Sequence, residues 1–207
     1  ALCNAAVDGA TGEVVALIDD SLEVMSPEWL AEMVSLALQP GVGAVGARLM
    51  DRRRILTHAG IILGLGVDGV AGCSHRGMPA GREGYGGRAA LIQSLSAVSS
   101  ACLVIRKDRY LAVGGLDGNH LKEAFADVDF CLRLGEAGLR TLWTPYAEML
   151  DHRGAAARAR KAGEPASASY LEDVAYMKRR WGPALANDPA YSPNLMLERE
   201  DFSYAWP

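Results

Sequence analysis

Short apolar runs alternate along the chain with segments in which apolar residues recur every three to four positions. "EVVALI" (13–18) is an unbroken apolar run and predicts a buried strand of the parallel-sheet type. "SPEWLAEMVSLAL" (26–38) predicts a helix, with Ser26 as N-cap, Pro27 at the first helical position and Glu28 at the positive end of the dipole. Leu30, Met33, Val34 and Ala37 then share one face, and Pro40-Gly41 ends the element. "VGAVGARL" (42–49) and "AGIILGL" (59–65) are the next strand candidates. Residues 64–88 break the pattern: they hold nine glycines and little periodicity, and predict a long loop without regular structure.

Strand character returns in "SAVSSACLVIR" (96–106), followed by a short helix in "KDRYLAV" closed by Gly114-Gly115. "DVDFCLRLGEAG" (127–138) predicts a helix with acids in its first turn and Gly138 as its stop. "LRTLWTP" predicts a strand ending at Pro145. "ASYLEDVAYMKRRWG" predicts a long helix with Leu171, Val174 and Trp181 on one face, Trp181 being a packing residue. The tail "NDPAYSPNLMLEREDFSYAWP" carries prolines and scattered aromatics, and predicts an extended strap over the domain. Strands alternating with helices, without internal repeats, argue for an α/β layered fold.

Composition narrows the function. Half of the 207 residues are hydrophobic, enough for one sizeable core. A formal net charge of −4 argues against a nucleic-acid partner. Basic residues cluster in "MDRRR" (50–54) and "RGAAARARK" (153–161), runs that are either solvated surface or contacts for an anionic substrate or a membrane headgroup. Cys3, Cys73, Cys102 and Cys131 are widely spaced with no CxxC, as expected of reduced thiols in the cytosol. No apolar stretch approaches the roughly eighteen residues of a membrane span, and no signal peptide is present.

The chemistry lies in two acidic clusters. Asp19 and Asp20 follow the first strand, and ligands of open α/β sheets bind beyond the carboxyl ends of strands. Adjacent carboxylates repel unless a cation neutralises them, and Mg²⁺ commonly bridges such pairs to phosphates; a turn-forming Asp pair is the structural alternative. Glu123, Asp127 and Asp129 surround a helix start, where Asp127 is either a cap or a general base for a hydroxyl. His152 follows one short element later, as a structural side chain or a metal ligand.

In this order the segments "LIDDSLEVMSPEWLAEMV" and "GGLDGNHLKEAFADVDFCLRLGEAGLRTLWTPYAEMLDHRG" resemble the inverting family 2 glycosyltransferases of GT-A fold, bacterial surface-polysaccharide branch. "HAGIILGLG", "SLSAVSSACLVIR", "YMKRRWG" and "NDPAYSPNL" extend the likeness over nearly the whole chain. The resemblance implies a GT-A-like, Rossmann-like layered sheet with helices on both faces. It also implies displacement at the anomeric carbon of a nucleotide-diphosphate sugar, with Asp127 as base. Asp19, Asp20 and His152 would lie at a divalent metal (Mg²⁺ or Mn²⁺), and Gly114, Gly115, Asp117 and Arg153 would contact substrate. Ser21 stands where the family's Asp motif usually ends in a carboxylate, which weakens the metal site; Ala126 and Arg153 replace the family's usual neighbours of the base and of the histidine.

The implied partners are a nucleotide-sugar donor and a saccharide or lipid-linked saccharide acceptor, in the cytoplasm or at the inner face of the membrane. Only 18 residues precede Asp19, so the expectation is one partial domain, incomplete at the N-terminus, with its donor site largely missing. Its parts would be the Asp-motif region (1–63), the Gly-rich loop (64–95), whose stretch 64–88 would act as an acceptor lid, the acceptor-side region (96–154), and a helix with its tail (155–207). The alternative class is a non-catalytic carbohydrate-binding or scaffold module. A phosphoryl-transfer enzyme on an unrelated fold is disfavoured by the absence of a Walker-type loop.

Overall fold

A computed structural model describes residues 2–153 and 166–205. The first third holds α1 (Leu2–Gly9), β1 (Val14–Ile18), β2 (Leu22–Val24), α2 (Trp29–Ala37) and β3 (Val42–Met50). Short strands β4 (Leu56–His58), β5 (Ile61–Leu63), β6 (Ala71–Cys73) and β7 (Gln93–Leu95) follow, with 3₁₀ turns at Tyr85–Ala90. Then come β8 (Cys102–Arg106), α3 (Lys107–Ala112), α4 (Ala126–Glu136), β9 (Arg140–Asp151) and α5 (Ala168–Ala186). The basic run at 153–161 lies outside the described residues from position 154 onward.

The main sheet has the order β1-β8-β3-β9-β2, with β4 added on β3 and β7 on β9; β5 and β6 form a separate ribbon. Among the described residues only β3 and β9 pair in parallel. β1 is antiparallel to β8 and sits at the sheet edge with alternating burial, which corrects the expectation of a fully buried parallel strand. Val15 and Leu17 pack into the core on one face and Val14 on the other, while Ala16 and Ile18 are exposed. Even so, β1, β3 and β9 run in one direction, so their carboxyl ends share one edge of the sheet with the start of β8.

Each sheet face carries its own core. Cys102 and Val104 of β8 join Met33, Leu36 and Ala37 of α2, while Leu103 and Ile105 point the other way into Phe130 and Leu134 of α4 and Trp181 of α5. This is period-two alternation in a strand covered on both sides. Gly46 of β3 is required by close approach: a Cβ there would lie 2.5 Å from the Cβ of Val98.

Other expectations shift for local reasons. α2 starts at Trp29 rather than at Ser26, because the Ser26 hydroxyl accepts the Glu148 N–H at 2.9 Å and so ties the approach to β9. The buried face of α2 is Met33, Leu36 and Ala37, leaving Leu30 exposed. β9 does not end at Pro145. It advances from Trp143 to Glu148 while β3 advances only from Gly46 to Arg48, and this bulge absorbs the proline. Within it the Trp143 indole N–H donates to the Ala47 carbonyl at 3.1 Å, satisfying an acceptor the interrupted ladder would have left.

The segment 64–88 is not structureless, since it contributes β6 and the start of the 3₁₀ turns. On α5, Asp173, Met177, Trp181 and Leu185 form the buried stripe, and Leu171 is exposed. The tail is a strap as expected: Phe202 packs against His75, Tyr85 and Tyr191, and Glu200 reaches Arg76 at 3.3 Å. All four cysteines are free thiols. Among the described residues no helix is long and apolar enough to cross a membrane.

Candidate active site

The edge where β1, β3 and β9 end gathers most of the residues singled out from the sequence. Asp19 closes β1: its N–H donates to the Ala101 carbonyl at 2.8 Å, and its carboxylate oxygen Oδ1 accepts from Ser21 N–H (2.9 Å) and Ser21 Oγ (2.7 Å). The Asp-Asp-Ser sequence therefore makes a tight turn into β2. Because β2 pairs with the end of β9, Leu22 opposite Asp151, that turn lies against His152 and Arg153. The His152 N–H donates to the Ser21 carbonyl at 3.0 Å. Arg153 Nη2 contacts Asp19 Oδ1 at 2.9 Å and Asp20 Oδ1 at 3.3 Å.

A fifth side chain enters from β3. The parallel register that sets Met50 opposite Leu150 also brings the residue pairs after them together, and Arg52 Nη2 lies 3.2 Å from His152 Nδ1. A guanidinium only donates, so Nδ1 is the acceptor and the proton sits on Nε2, which donates to Glu23 Oε2 at 2.9 Å. Each arginine stands on a turn organised by an aspartate. Asp51 Oδ1 accepts the N–H groups of Arg53 and Ile55, and Asp151 Oδ1 accepts that of Arg153. Arg52 was visible in the sequence only as part of a basic run.

Asp127 adjoins this corner through the Ser99–Ala101 segment. Phe125, in a left-handed conformation, is the N-cap of α4, so Asp127 does not cap the helix. Its carboxylate instead accepts the N–H of Ser100 at 3.0 Å and that of Val128 at 2.9 Å. Burial raises its pKa above the ordinary carboxylate value, against the lowering effect of these bonds. Since Ala101 receives the Asp19 N–H, three consecutive residues join the two acidic clusters. The wall continues through His58, whose Nε2 accepts the Ser99 N–H at 3.3 Å and whose Nδ1 meets Cys73 Sγ at 3.5 Å. Burial pushes the Cys73 thiol up, and the nearby Asp127 charge adds to that effect.

The loop into α4 is held from behind. Asp173, buried on α5, accepts the N–H groups of Lys122 (3.3 Å), Glu123 (2.8 Å) and Ala124 (2.8 Å). Asp188 performs a similar task for the strap, accepting from Leu63 N–H (2.6 Å), Ser96 Oγ (2.6 Å) and Ala190 N–H (2.7 Å). Ser99, Ser100, Asp173 and Asp188 carried no sequence signal beyond small polar residues near an apolar run and carboxylates in polar ones.

Gly114, Gly115 and Asp117 belong to a neighbouring turn. Both glycines have positive φ and close α3, and Gly115 lies where a Cβ would meet Asn4 Oδ1. Asp117 is partly buried, which alone would raise its pKa. Hydrogen bonds from His120, Asn119 and Tyr176 outweigh that and hold it at about 2. The bonds of this turn run to α1, α4 and α5, through Asn4, Arg133 and Tyr176.

The donor set of the corner does not suit a metal ion. Asp19 Oδ1 already receives three hydrogen-bond donors, and the lone pair of His152 faces a guanidinium. Among the described residues no group of three or more His, Cys, Asp and Glu side chains could hold a metal ion. Asp19, Asp20 and His152 thus meet in place, though not as a ligand set.

No protein-family model matches the chain. It is 47% identical over 207 residues to uncharacterized protein y4gI of Sinorhizobium fredii, covering all of this chain and 22% of that protein. It is 34% identical over 203 residues to the O-antigen biosynthesis protein RfbC of Myxococcus xanthus, covering 97% of this chain and 15% of RfbC. The chain thus spans about a fifth or less of these relatives. Among solved structures, GalNAc-T7, crystallised with UDP, GalNAc and Mn²⁺, superposes with a TM-score of 0.64 at 12% identity, over 89% of this chain and 35% of the other. The fold is that of the GT-A glycosyltransferases: a mixed α/β sheet with helices on both faces.

Proposed function

We propose that this chain is the acceptor-side part of an inverting glycosyltransferase of the family 2 type, acting in bacterial surface-polysaccharide synthesis. The observation that carries the reading is the short bridge from a part-buried, pKa-raised carboxylate, Asp127, to the Asp19–Asp20–Arg153 corner at the same sheet edge. The likeness to a segment of RfbC supports the biological setting, and the GT-A fold supports the reaction class. Asp127 accepts the proton of an acceptor saccharide hydroxyl. The oxygen attacks the anomeric carbon from the face opposite the leaving group, the bond to the nucleoside diphosphate breaks, and its electron pair departs with the phosphate oxygen.

The donor is a nucleotide-diphosphate sugar, and the acceptor a saccharide or lipid-linked saccharide met at the cytoplasmic face of the membrane. The turn of Gly114, Gly115 and Asp117 shapes the acceptor side. The four-part division at residues 63, 95 and 154 follows from these roles. Asp127→Asn tests the assignment. In the full-length protein, glycosyl transfer is expected to fall about 10²–10⁴-fold with the fold intact by circular dichroism, whereas an unchanged rate removes Asp127 as base. Tight saccharide binding by a wild-type protein that transfers nothing would support the binding-module alternative instead.

A further inference from the structure

A divalent ion is the usual neutraliser of a carboxylate pair facing a diphosphate, yet the atoms that would hold it are taken here by arginine. Arg153 is set by the Asp151 turn at the end of β9, and Arg52 by the Asp51 turn at the end of β3. Strand pairing between β3 and β9 brings both turns to one edge of the sheet, where Arg52 reaches His152, the residue next to Arg153 in the chain. Together they carry the charge of one divalent cation, fixed covalently at the position where Asp19, Asp20 and His152 meet. Arg153 uses Nη2 for both carboxylate contacts, and Arg52 uses Nη2 for His152. Both side chains are half-exposed to exposed, and their remaining guanidinium N–H groups suit phosphate oxygens, which arginine recognises in a bidentate way.

We propose that Arg52 and Arg153 do the work of a metal ion at this corner, holding the leaving diphosphate by charge-assisted hydrogen bonds. The inference rests on the glycosyl-transfer reading and deepens it. As the sugar–phosphate bond breaks, its electron pair moves onto a diphosphate oxygen that the two guanidinium groups already face; no proton changes hands there. His152 is the hinge of the arrangement. Its Nε2–H is fixed on Glu23, so its Nδ1 lone pair holds Arg52 beside the turn that carries Arg153. The closest alternative occupant is an ion that displaces both arginines, and it makes an opposite prediction about chelators.

The test uses inorganic pyrophosphate, the charged core of the leaving group, titrated calorimetrically into the protein after dialysis against EDTA. Binding that persists in EDTA, and that weakens about tenfold or more in Arg153→Gln and in Arg52→Gln, supports the proposal. Thermal melts of the variants within a few degrees of wild type keep a folding defect from mimicking the result. In parallel, the electron paramagnetic resonance signal of free Mn²⁺ reports direct metal uptake; it should stay undiminished when protein is added. Pyrophosphate binding only with Mn²⁺ present, and Mn²⁺ uptake lost in Asp19→Asn, overturns the arginine role while leaving the glycosyltransferase reading standing. Binding in EDTA that ignores both arginine substitutions also overturns it. Absence of pyrophosphate binding under every condition overturns the arginine role and leaves the transfer reading to the Asp127→Asn assay.

Discussion

Asp127 sits where two demands conflict. Its carboxylate oxygens accept the Ser100 and Val128 N–H groups, which favour the ionised form, while burial favours the neutral one and wins. A base must be ionised, so transfer should fall as pH drops through the raised folded-state pKa, with a midpoint above the ordinary carboxylate value near 4. The sign for stability is opposite. The folded state holds this proton more tightly than the unfolded state, so Asp127 adds stability at low pH that is lost as pH rises through its folded pKa. Over that window the initial rate should therefore rise with pH, while the melting temperature of the wild type, taken relative to that of Asp127→Asn, should fall. Asp127 and Asp19 were legible because acids at element boundaries stand out. Asp173 was not, because its work is done fifty residues away, on the backbone leading to the base. Asp173→Ala leaves the Glu123 and Ala124 N–H groups unpaired and should cost about 1–3 kcal/mol of stability. It should also lower kcat more than it raises KM, with Asp173→Asn intermediate in both.

At the scale of elements, patterning located most strands and helices and misjudged how they pair. β1 has the apolar run of a parallel strand, but its partner β8 arrives from the opposite direction, and nothing in "EVVALI" encodes a neighbour almost ninety residues on. Pro145 is a good stop signal that the β9 bulge neutralises through contacts with β3. The strap was legible by composition, though its anchor was not. His75, itself at positive φ, stacks on Phe202 at 4.3 Å, accepts the Tyr85 N–H at 3.2 Å, and is bonded to Ser74 Oγ at 2.6 Å. Burial, with the nearby Arg88 charge, depresses its pKa to about 4. A depressed folded value means stability that is present above the unfolded pKa near 6.5 and is lost as pH falls through the folded one. The loss between pH 6.5 and 4 should reach about 3 kcal/mol, since each pKa unit is worth about 1.4 kcal/mol. Hydrogen exchange should show residues 199–205 opening first on acidification, and His75→Gln should flatten that pH dependence. Because the strap grips the Gly-rich segment beside Cys73 and the Asp127 wall, its release should also loosen the acceptor side.

Across the whole molecule, the site occupies the seam between two cores. Val98 packs with α4 and α5 on one face of the sheet and Ala101 with α2 on the other, and Ser100 and Ala101 carry the link from Asp127 to Asp19. The sheet separates the faces with a full strand layer, so a cavity in one should not propagate into the other. Met33 is buried in the α2 core and Ile105 in the α4 core. Met33→Ala should cost about 2–5 kcal/mol and Ile105→Val about 0.5–1.5 kcal/mol. If the cores are independent, the double variant should lose the sum of the two within about 0.5 kcal/mol in denaturant unfolding. A larger coupling would mean that β8 bends under one substitution and transmits it to the other face. Pyrophosphate affinity, measured on the same variants, should then track the coupling, because the Ser99–Ala101 link leads directly into that strand. Additive unfolding with unchanged pyrophosphate affinity would instead mark the sheet as a rigid partition, on whose edge Asp127 and the Asp19–Arg153 corner are placed by backbone alone.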